Sequence, residues 1–312
     1  MQTKHIITMG ALMLTSSFSQ AEENLWIYAK GTDTRPQGSF EAKLSDIIRI
    51  SKDSGDYVFH DIRPEIEYGV TDKLTIGAEA IIFDHDYSVK NAELNPMHET
   101  QGGEGGHYNK TQYAGFELTA KYNVLSPYKD FMGFSVGLGF ENRDQYRLDG
   151  SDIDQDSFTT TLFFQKNFID DTLVFVFNPK IEFERRKGPD VLEEEISLDF
   201  SAGVSYRFAP KWFAGLEFRH QSDYLSPQDT TTGEFEEGVK PSSFDLSNFQ
   251  LGDQYQHGNY FGPTVHYADK SWWATAGVLV QVSGGGGVGN GGKNYDEHEK
   301  VHVGLTFGYE FQ

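Results

Sequence analysis

A histidine and a serine in the second half of the chain have the types and spacing that nucleophilic chemistry needs. His220 and Ser222 are two positions apart, and residues two apart in a β-strand face the same side of the sheet. An imidazole placed in this way can take the proton of the hydroxyl, which then attacks an acyl ester. A third polar residue normally holds the ring, and Asn259 has matching parity on the strand that we expect next to it.

The same pattern also has a plainer explanation. A His-x-Ser pair often arises by chance, and polar residues are common where strands leave an apolar layer. The residues Asp84, His85, Asp86, His98, Glu99 and His107 suit a divalent cation by type, but they lack fixed ligand spacing and fit a solvated loop. We therefore predict no enzyme, no cofactor and no metal site, and keep the His/Ser/Asn set as an alternative.

The elements that would carry these side chains are β-strands. Apolar and polar residues alternate through most of the chain after residue 37, which is typical of strands with one apolar face. Residues 195–208 show the pattern clearly, with apolar side chains at the even positions: Ile196, Leu198, Phe200, Ala202, Val204, Tyr206 and Phe208. The segment 299–311 alternates likewise and ends in Phe311, and a final aromatic residue resembles the recognition signal of barrels inserted by the outer-membrane assembly machinery.

Segments of this kind predict about twelve strands, at 38–51, 57–69, 73–87, 111–123, 131–144, 156–168, 172–187, 195–208, 211–222, 257–267, 271–282 and 299–311. Short turns such as 170–171 and 209–211 alternate with longer connections that are mostly Gly-rich or acidic. This alternation is typical of transmembrane barrels, whereas a soluble β-sandwich, the other all-β possibility, has no reason to sort its loops. We predict an all-β fold, a closed antiparallel transmembrane β-barrel of about twelve strands.

The N-terminal region predicts export. Residues 1–21 have the features of a signal peptide: a basic start, an apolar stretch from Ile6 to Phe18, and the cleavage pattern Ser19-Gln20-Ala21. The apolar stretch is too short to span a bilayer as a helix. Residues 22–37 then form a periplasmic or lumenal segment, and residues 38–312 form the barrel. The stretch from Ala29 to Gly38 is expected to lie inside the barrel and narrow it.

The composition excludes several classes of function. The chain has 47 acidic and 26 basic residues and a net charge of −21, which argues against nucleic acid or any other polyanion as a partner. It has no cysteine, so disulfides and thiol catalysis are excluded. An aromatic content of 14% and 33 glycines favour a membrane barrel, because such barrels place aromatic girdles at both bilayer interfaces.

The inward-facing parity of the strands selects a set of charged residues for the lumen. Residues of both signs belong to it: Arg49, Asp61, Arg63, Glu65, Glu67, Glu79, Glu117, Lys121, Glu141, Arg143, Lys180, Glu182, Glu184, Arg186, Glu217 and Arg219. One interpretation is a polar conduit whose opposed charges select solutes. The other is a filled barrel in which buried charges are paired because leaving them unpaired is costly. The sequence leaves both open.

Several blocks of sequence carry a family resemblance. They are Ala29-Lys30-Gly31-Thr32-Asp33-Thr34, Glu67-Tyr68-Gly69-Val70-Thr71-Asp72-Lys73, Ala120-Lys121-Tyr122-Asn123-Val124-Leu125-Ser126-Pro127, Ser205-Tyr206-Arg207-Phe208-Ala209-Pro210, Phe261-Gly262-Pro263 and Trp272-Trp273-Ala274-Thr275. They resemble an uncharacterised family of predicted proteobacterial outer-membrane β-barrel proteins. That family is loosely similar to the outer-membrane, transporter-like family of the MetA pathway of phenol degradation. The resemblance implies transport of small solutes, aromatic or hydrophobic ones among them.

Three functions are consistent with these features. We expect a passive channel in the outer membrane of a Gram-negative bacterium, with outer-membrane lipid, lipopolysaccharide and, during insertion, the barrel-assembly machinery as partners. The first alternative is a lipid acyl hydrolase, since His220 and Ser222 resemble the sites of outer-membrane phospholipases and lipid A deacylases. The second is a structural or adhesion barrel that acts through the 223–256 connection. The transported solute, the openness of the lumen and the oligomeric state are not fixed by the sequence.

Overall fold

The computed structural model describes residues 24–91, 93–94, 106–187, 191–229, 244–245, 250–251, 254–286 and 292–311. The signal peptide predicted at 1–21 lies outside the described residues. So do most of the 223–256 connection, to which the adhesion hypothesis refers, and part of the glycine-rich tract that follows residue 286.

The described chain is built from β-strands. They are β1 (Phe40–Lys52), β2 (Gly55–Thr71), β3 (Leu74–Val89), β4 (His107–Leu125), β5 (Gly133–Gln145), β6 (Asp152–Phe168), β7 (Leu173–Lys187), β8 (Val191–Ala209), β9 (Trp212–Asp229), β10 (Phe244–Asp245), β11 (Gln250–Leu251), β12 (Gln254–Ala268), β13 (Trp272–Gly286) and β14 (Val301–Phe311). The two-residue strands β10 and β11 pair only with each other. The remaining strands form one sheet.

This sheet closes on itself. Each strand pairs antiparallel with its neighbours in sequence, β9 pairs with β12, and β1 completes the ring by pairing with β14 from Phe40 opposite Phe311 to Ile50 opposite Val301. Closure removes both free edges, so every strand has partners for its backbone N–H and C=O groups on both sides. The structure confirms the predicted all-β, closed antiparallel barrel.

The two faces of the barrel differ as the alternation predicts. On β14, the exposed side chains Leu305, Phe307 and Tyr309 alternate with the buried His302 and Thr306. Large apolar side chains are exposed in the same way around the whole wall. An apolar band of this extent would be unfavourable in water and is what a bilayer covers. In the described part of the chain, no helix is long and apolar enough to cross a membrane.

The two ends of the barrel differ in their connections. At one end, called the turn end here, β-strands are joined by short segments at 72–73, 126–132, 169–172, 210–211 and 269–271. The residues of the 169–172 turn include Asp170 and Asp171, whose φ angles of 48° and 61° suit the tight turns that match strand twist. At the other end, the loop end, the β3–β4, β9–β12 and β13–β14 connections are longer, whereas the β1–β2 hairpin, the 188–190 stretch and the 146–151 connection are short.

Most of the barrel strands are longer than the alternation predicts, and the difference lies mainly at the loop end. There β4 begins at His107 rather than 111, and β9 continues to Asp229 rather than ending at 222. These extensions carry polar residues on both faces. They therefore lack the alternation of apolar and polar residues on which the prediction depends. Hydrogen bonds between neighbouring backbones continue the ladder there without that contrast.

Candidate functional site

A row of glutamates crosses the inner wall at one level. Strand pairing places these four side chains opposite one another on β2, β3, β4 and β5: Glu65, Glu79, Glu117 and Glu141. The guanidinium of Arg63 contacts three of the four, with N···O distances of 2.8 Å to Glu79, 3.1 Å to Glu117 and 3.2 Å to Glu141. One cation therefore lies between three carboxylates that would otherwise repel each other more strongly across the strands.

Further inner charges are paired as well. Examples are Arg219 to Asp199 at 2.6 Å, Arg143 to Glu141 at 2.6 Å, Lys43 to Glu65 at 2.8 Å, and Lys180 to Glu182 at 3.1 Å. Pairing reduces the cost of holding these charges away from bulk water. The inner wall thus carries ion pairs that link side chains of the same and of neighbouring strands.

The N-terminal segment, residues 24–39, lies inside the barrel. Side chains of the wall hold it through hydrogen bonds to its backbone groups. The carboxylate of Glu217 accepts three consecutive backbone N–H groups, from Ile27 at 2.9 Å, Tyr28 at 2.8 Å and Ala29 at 2.6 Å. Asn178 accepts the N–H of Lys30 at 2.6 Å and donates to its carbonyl at 3.0 Å. These side chains give an extended segment the hydrogen bonds that it would otherwise make with water.

Further contacts hold the segment towards the turn end. Gln165 accepts the Thr32 N–H at 2.8 Å, and the Asn123 amide donates to the Thr32 carbonyl at 2.9 Å. The guanidinium of Arg35 is 2.9 Å from the buried carboxylate of Glu41. The segment is therefore anchored along its length to several different strands of the wall.

Glycines on the wall make room for the first residues of the segment. A Cβ atom at Gly203 of β8 would collide with the Trp26 indole, and one at Gly304 of β14 would collide with Ile27. Trp26 and Ala29 are buried, and they pack with Val174, Val176 and Phe213. Only a residue without a side chain permits this close approach, so the wall is shaped to receive this segment.

Tyr28 joins the segment to a buried polar group near the loop end. The Tyr28 hydroxyl is 2.8 Å from His302 Nδ1, and His302 Nε2 is 3.1 Å from Glu299. Arg219 lies over the Tyr28 ring, 3.8 Å from its centroid, in a cation–π contact. Lys52 is 3.6 Å from Glu299, so the cluster includes a counter-charge for its carboxylate.

Two connections fold inward at the loop end. Carbonyls of the 146–151 connection accept hydrogen bonds from the hydroxyls of Tyr57 at 3.0 Å and Tyr87 at 2.8 Å. In the 292–300 connection, His298 Nδ1 is 2.6 Å from the amide nitrogen of Gln221. Burial lowers the pKa of His298 to about 3, because it penalises the charged imidazole, so this ring is neutral and accepts that hydrogen bond.

Space remains beside these elements. A cavity of about 320 Å³ lies against the glutamate row and the N-terminal segment, and a second of about 130 Å³ lies towards the loop end. The two share part of their walls: Arg49, Arg147, Lys180, Glu182, Asp199 and Arg219. Every residue of the predicted lumen set except Glu217 lines one of these cavities, and Glu217 is buried against the N-terminal segment.

On the outer face, the structure brings the predicted His/Ser/Asn set together. His220 Nδ1 is 2.8 Å from Asn259 Oδ1, and His220 Nε2 is 3.3 Å from Ser222 Oγ. The Asn259 amide donates to Ser283 at 3.0 Å, and the His220 ring stacks on Phe200 with centroids 5.5 Å apart. The imidazole is thus fixed between the hydroxyl and the amide.

The histidines considered as metal ligands are placed differently. His85 is fully buried against the Phe59 ring, with a centroid distance of 4.4 Å, and its Nε2 is 2.9 Å from the Arg147 carbonyl. The expectation of a solvated loop was therefore wrong for this residue, because β3 continues through it and turns it inward. His107 is 2.9 Å from Asp86 on the exposed surface, and His98 and Glu99 lie outside the described residues. Within the described residues, no group of three or more His, Asp or Glu side chains is arranged to hold a metal ion.

The neutral side chains that hold the N-terminal segment were missed by the sequence analysis. Asn178, Gln165 and Asn123 occupy inward positions of their strands. The parity argument would have found them, but it was applied only to charged residues. His302 and Glu299 also escaped notice, because their role depends on Tyr28, which lies in a segment without periodicity.

Several solved structures are similar to this chain. The COG4313 outer membrane channel from Pseudomonas putida F1 has a TM-score of 0.56 at 13% identity, with 90% of this chain and 98% of that chain covered. The transport unit of the autotransporter AIDA-I from Escherichia coli has a TM-score of 0.47 at 7% identity, with 92% and 94% covered. A KdgM porin in complex with disordered oligogalacturonate has a TM-score of 0.43 at 11% identity, with 88% of this chain and 99% of that chain covered.

At such low identity, the similarity to the COG4313 channel shows a shared fold. No curated protein matches the chain. The model of a family of unknown function, DUF6662, matches residues 18–311, which is nearly the whole sequence. This match confirms the predicted membership of an uncharacterised family: the chain belongs to DUF6662.

Proposed function

We propose that the protein is a passive channel for small polar solutes in the outer membrane of a Gram-negative bacterium, exported by its signal peptide and inserted by the barrel-assembly machinery. The observation that carries this proposal is the polar space left inside the barrel beside the N-terminal segment. A barrel that served only as a scaffold would gain stability by filling this space, because packed interiors avoid voids. The apolar outer band supports the location.

The charges around this space favour solutes without a strong net charge. Among the described residues, eight basic and eight acidic side chains line the larger cavity, although the whole chain carries −21. A balanced lining gives little preference for cations over anions. Its dense ion pairs favour polar or zwitterionic solutes over the hydrophobic ones that the family resemblance suggests.

The N-terminal segment sets the size of the passage. It occupies the lumen over residues 24–39 and leaves a cavity of about 320 Å³ beside it, which is at the lower end of the volumes of ligand pockets, about 300–1,000 Å³. Conductance in this state is therefore expected to be small. Loss of the segment would join its volume to the cavity and widen the passage.

Single-channel recording in planar bilayers tests the proposal. The full mature protein is expected to show small, steady conductance, and a variant without Ala29–Gly38 a conductance several times larger. The control is Thr34→Ala, which removes a contact with the Asp72 carbonyl at the exposed mouth and should leave conductance unchanged. If both the full protein and the deletion variant are folded but impermeable to ions, the channel proposal is wrong.

A further inference from the structure

The polar cluster on the outer face takes no part in passage through the lumen. His220 and Ser222 on β9, and Asn259 on β12, face the same side as the exposed Leu216 and Phe261. We propose that this cluster is an acyl-ester hydrolase site that acts on membrane lipid. In it Ser222 is the nucleophile, His220 is the general base, and Asn259 is a positioning residue that orients the imidazole.

The hydrogen bonds set the correct tautomer for a general base. The oxygen of the Asn259 side chain can only accept, so the His220 Nδ1 that faces it at 2.8 Å carries a proton. His220 Nε2 is then unprotonated and faces the Ser222 hydroxyl at 3.3 Å. In this orientation the Asn259 amide also donates to Ser283 at 3.0 Å, so both ends of the amide have a partner. A histidine that bridges a hydroxyl and a fixed acceptor is the arrangement by which serine hydrolases are recognised.

The position of the cluster selects the substrate. Leu216 and Phe261 are 45% and 42% exposed and belong to the apolar band, and the cluster follows them directly in the direction of the loop end. A bilayer that covers the band would place its boundary between acyl chains and headgroups near this level. The carbonyl carbons of acyl esters lie at that boundary, so a membrane lipid can present its ester to Ser222 without leaving the bilayer.

A second histidine is placed to stabilise the reaction. His257 on β12 is the direct cross-strand partner of Ser222 on the same face, and its ring centroid is 6.2 Å from that of His220. Side chains that are directly opposite in antiparallel strands have Cβ atoms about 5 Å apart. The His257 ring lies over Gly285 of β13, and rotation about its side-chain bonds would bring an N–H group towards the oxygen that becomes negative when Ser222 attacks, which is the role of an oxyanion hole.

Ser222 is buried, although the residues around it are not. It lies between Leu198 and His257 on the neighbouring strands and between His220 and Tyr224 along its own, and all four are larger and partly exposed. Its hydroxyl is also 3.4 Å from the Leu198 carbonyl. Partly exposed side chains change rotamer within picoseconds to nanoseconds, so a lipid ester that displaces one of them can reach the hydroxyl.

The reaction balances with water as the second reactant. Ser222 Oγ forms a bond to the ester carbonyl carbon while its proton passes to His220 Nε2. The bond from that carbon to the leaving oxygen breaks, and the same proton passes to this oxygen, which leaves as an alcohol on the lysolipid. Water from the interface then attacks the acyl-serine carbonyl carbon and gives a proton to His220. His220 passes this proton to Ser222 Oγ as the bond from that carbon to Oγ breaks, which releases a fatty acid and free Ser222.

Fatty-acid release from defined lipids tests the proposal. The folded full-length barrel is incubated separately with mixed micelles of detergent and phosphatidylethanolamine, and with lipopolysaccharide, and the released fatty acids are measured by mass spectrometry. We expect release from one of the two, and the one that reacts identifies the lipid class. Ser222→Ala should lower the rate at least about a thousandfold, while Ser88→Ala, which removes a hydroxyl at the same end of the barrel, should leave it unchanged.

Asn259 provides a readout that a purely structural role would not give. Asn259→Ala should lower kcat roughly a hundredfold, in the range that general-base catalysis contributes, with little change in KM. Asn259→Asp should restore much of the rate. It should also shift the acidic limb of the pH–rate profile to higher pH, because a carboxylate beside the ring favours the imidazolium.

The outcomes are separate from those of the channel proposal, since Ser222→Ala leaves the lumen untouched and should leave conductance unchanged. Folding of each variant is checked by circular dichroism and by heat-dependent mobility in gels. A folded wild-type protein that releases no fatty acid from either lipid overturns the hydrolase proposal. Release that persists in Ser222→Ala overturns it as well, because the activity would then belong to another site or to a contaminant.

Discussion

Strand β9 has polar residues on both faces over the same few positions, but the two faces hold them in different ways. Facing inward, Glu217 accepts three backbone N–H groups, and Arg219 binds a carboxylate and covers an aromatic ring. Facing outward, His220 and Ser222 belong to a single chain of hydrogen bonds that ends on Asn259 and its neighbour. The inward groups hold another segment of the chain, whereas the outward groups fix one imidazole in one orientation.

The difference follows from the surroundings of each face. Inside the barrel, a charge without a partner would be costly, and the N-terminal segment supplies partners that water would otherwise supply. Outside, each polar group near the bilayer is unfavourable, and the cost rises towards the midplane. At the edge of the apolar band this cost is small, so it is the hydrogen-bond geometry of the outward cluster, and not its polarity, that points to a function, whereas the inner charges are explained by the fold.

The largest expected effect comes from reversing the character of the outer face. Leu216 is 45% exposed in the apolar band of β9. Leu216→Arg should lower the free energy of unfolding in lipid vesicles by about 2–4 kcal/mol, the cost of a charged residue near the bilayer midplane. Leu216→Met keeps size and polarity, and it should change stability by less than about 1.5 kcal/mol. Urea titrations of both variants measure the effect, and equal stability would show that this face is not covered by lipid.

A smaller effect is expected from the matching change on the inner face. Glu217→Ala leaves the N–H groups of Ile27, Tyr28 and Ala29 without an acceptor. The cost is about 1–3 kcal/mol for such groups when they stay buried, so the segment should dissociate from the inner wall more often. Hydrogen exchange at residues 27–29 should speed up and single-channel conductance should rise.

Glu217→Gln is the matched control, because its amide oxygen still accepts hydrogen bonds. Exchange at residues 27–29 should be intermediate between the wild type and Glu217→Ala. If these amides stay protected in Glu217→Ala, the carboxylate does not hold the segment, and the rise in conductance expected for Glu217→Ala would lose its structural basis.

The fold and the outward cluster were largely predictable from the sequence, since both depend on parity. A period of two fixes which side chains share a face, and an antiparallel order places Asn259 on the strand next to His220. β9 and β12 are consecutive strands of the predicted barrel, and they pair although a long connection joins them. These two geometric rules were enough to place Asn259 beside His220 and Ser222.

The path of the N-terminal segment was predictable only in outline. Its contacts are made by backbone N–H and C=O groups of residues 27–32, and every residue type has these groups, so the sequence carries no signal for them. The seat is formed partly by Gly203 and Gly304, where the important feature is a missing side chain. Inward-folded connections such as 146–151 and 292–300 also depend on tertiary contacts alone.

The smallest expected effect is that of pH on the contact between His298 and a third inward residue of β9, Gln221, which donates to His298 at 2.6 Å. Burial lowers the pKa of His298 to about 3, whereas an exposed imidazole has a pKa of about 6.5. Above pH 6.5 the ring is neutral in both states, and below it only the open state takes up a proton. The free energy needed to open the docked 292–300 connection is therefore highest above pH 6.5, and it falls as the pH decreases towards 3.

Lowering the pH from 7 to 5.5 should shift the opening equilibrium of this connection by roughly tenfold, or about 1.4 kcal/mol, because the pH then lies one unit below the open-state pKa. Hydrogen exchange of residues 292–300, corrected for intrinsic rates, measures the shift. His298→Gln keeps an acceptor for Gln221 but does not titrate, so its opening should be independent of pH over this range. If the variant keeps the pH dependence of the wild type, another group that lies against the connection, His302 or Glu299, causes it.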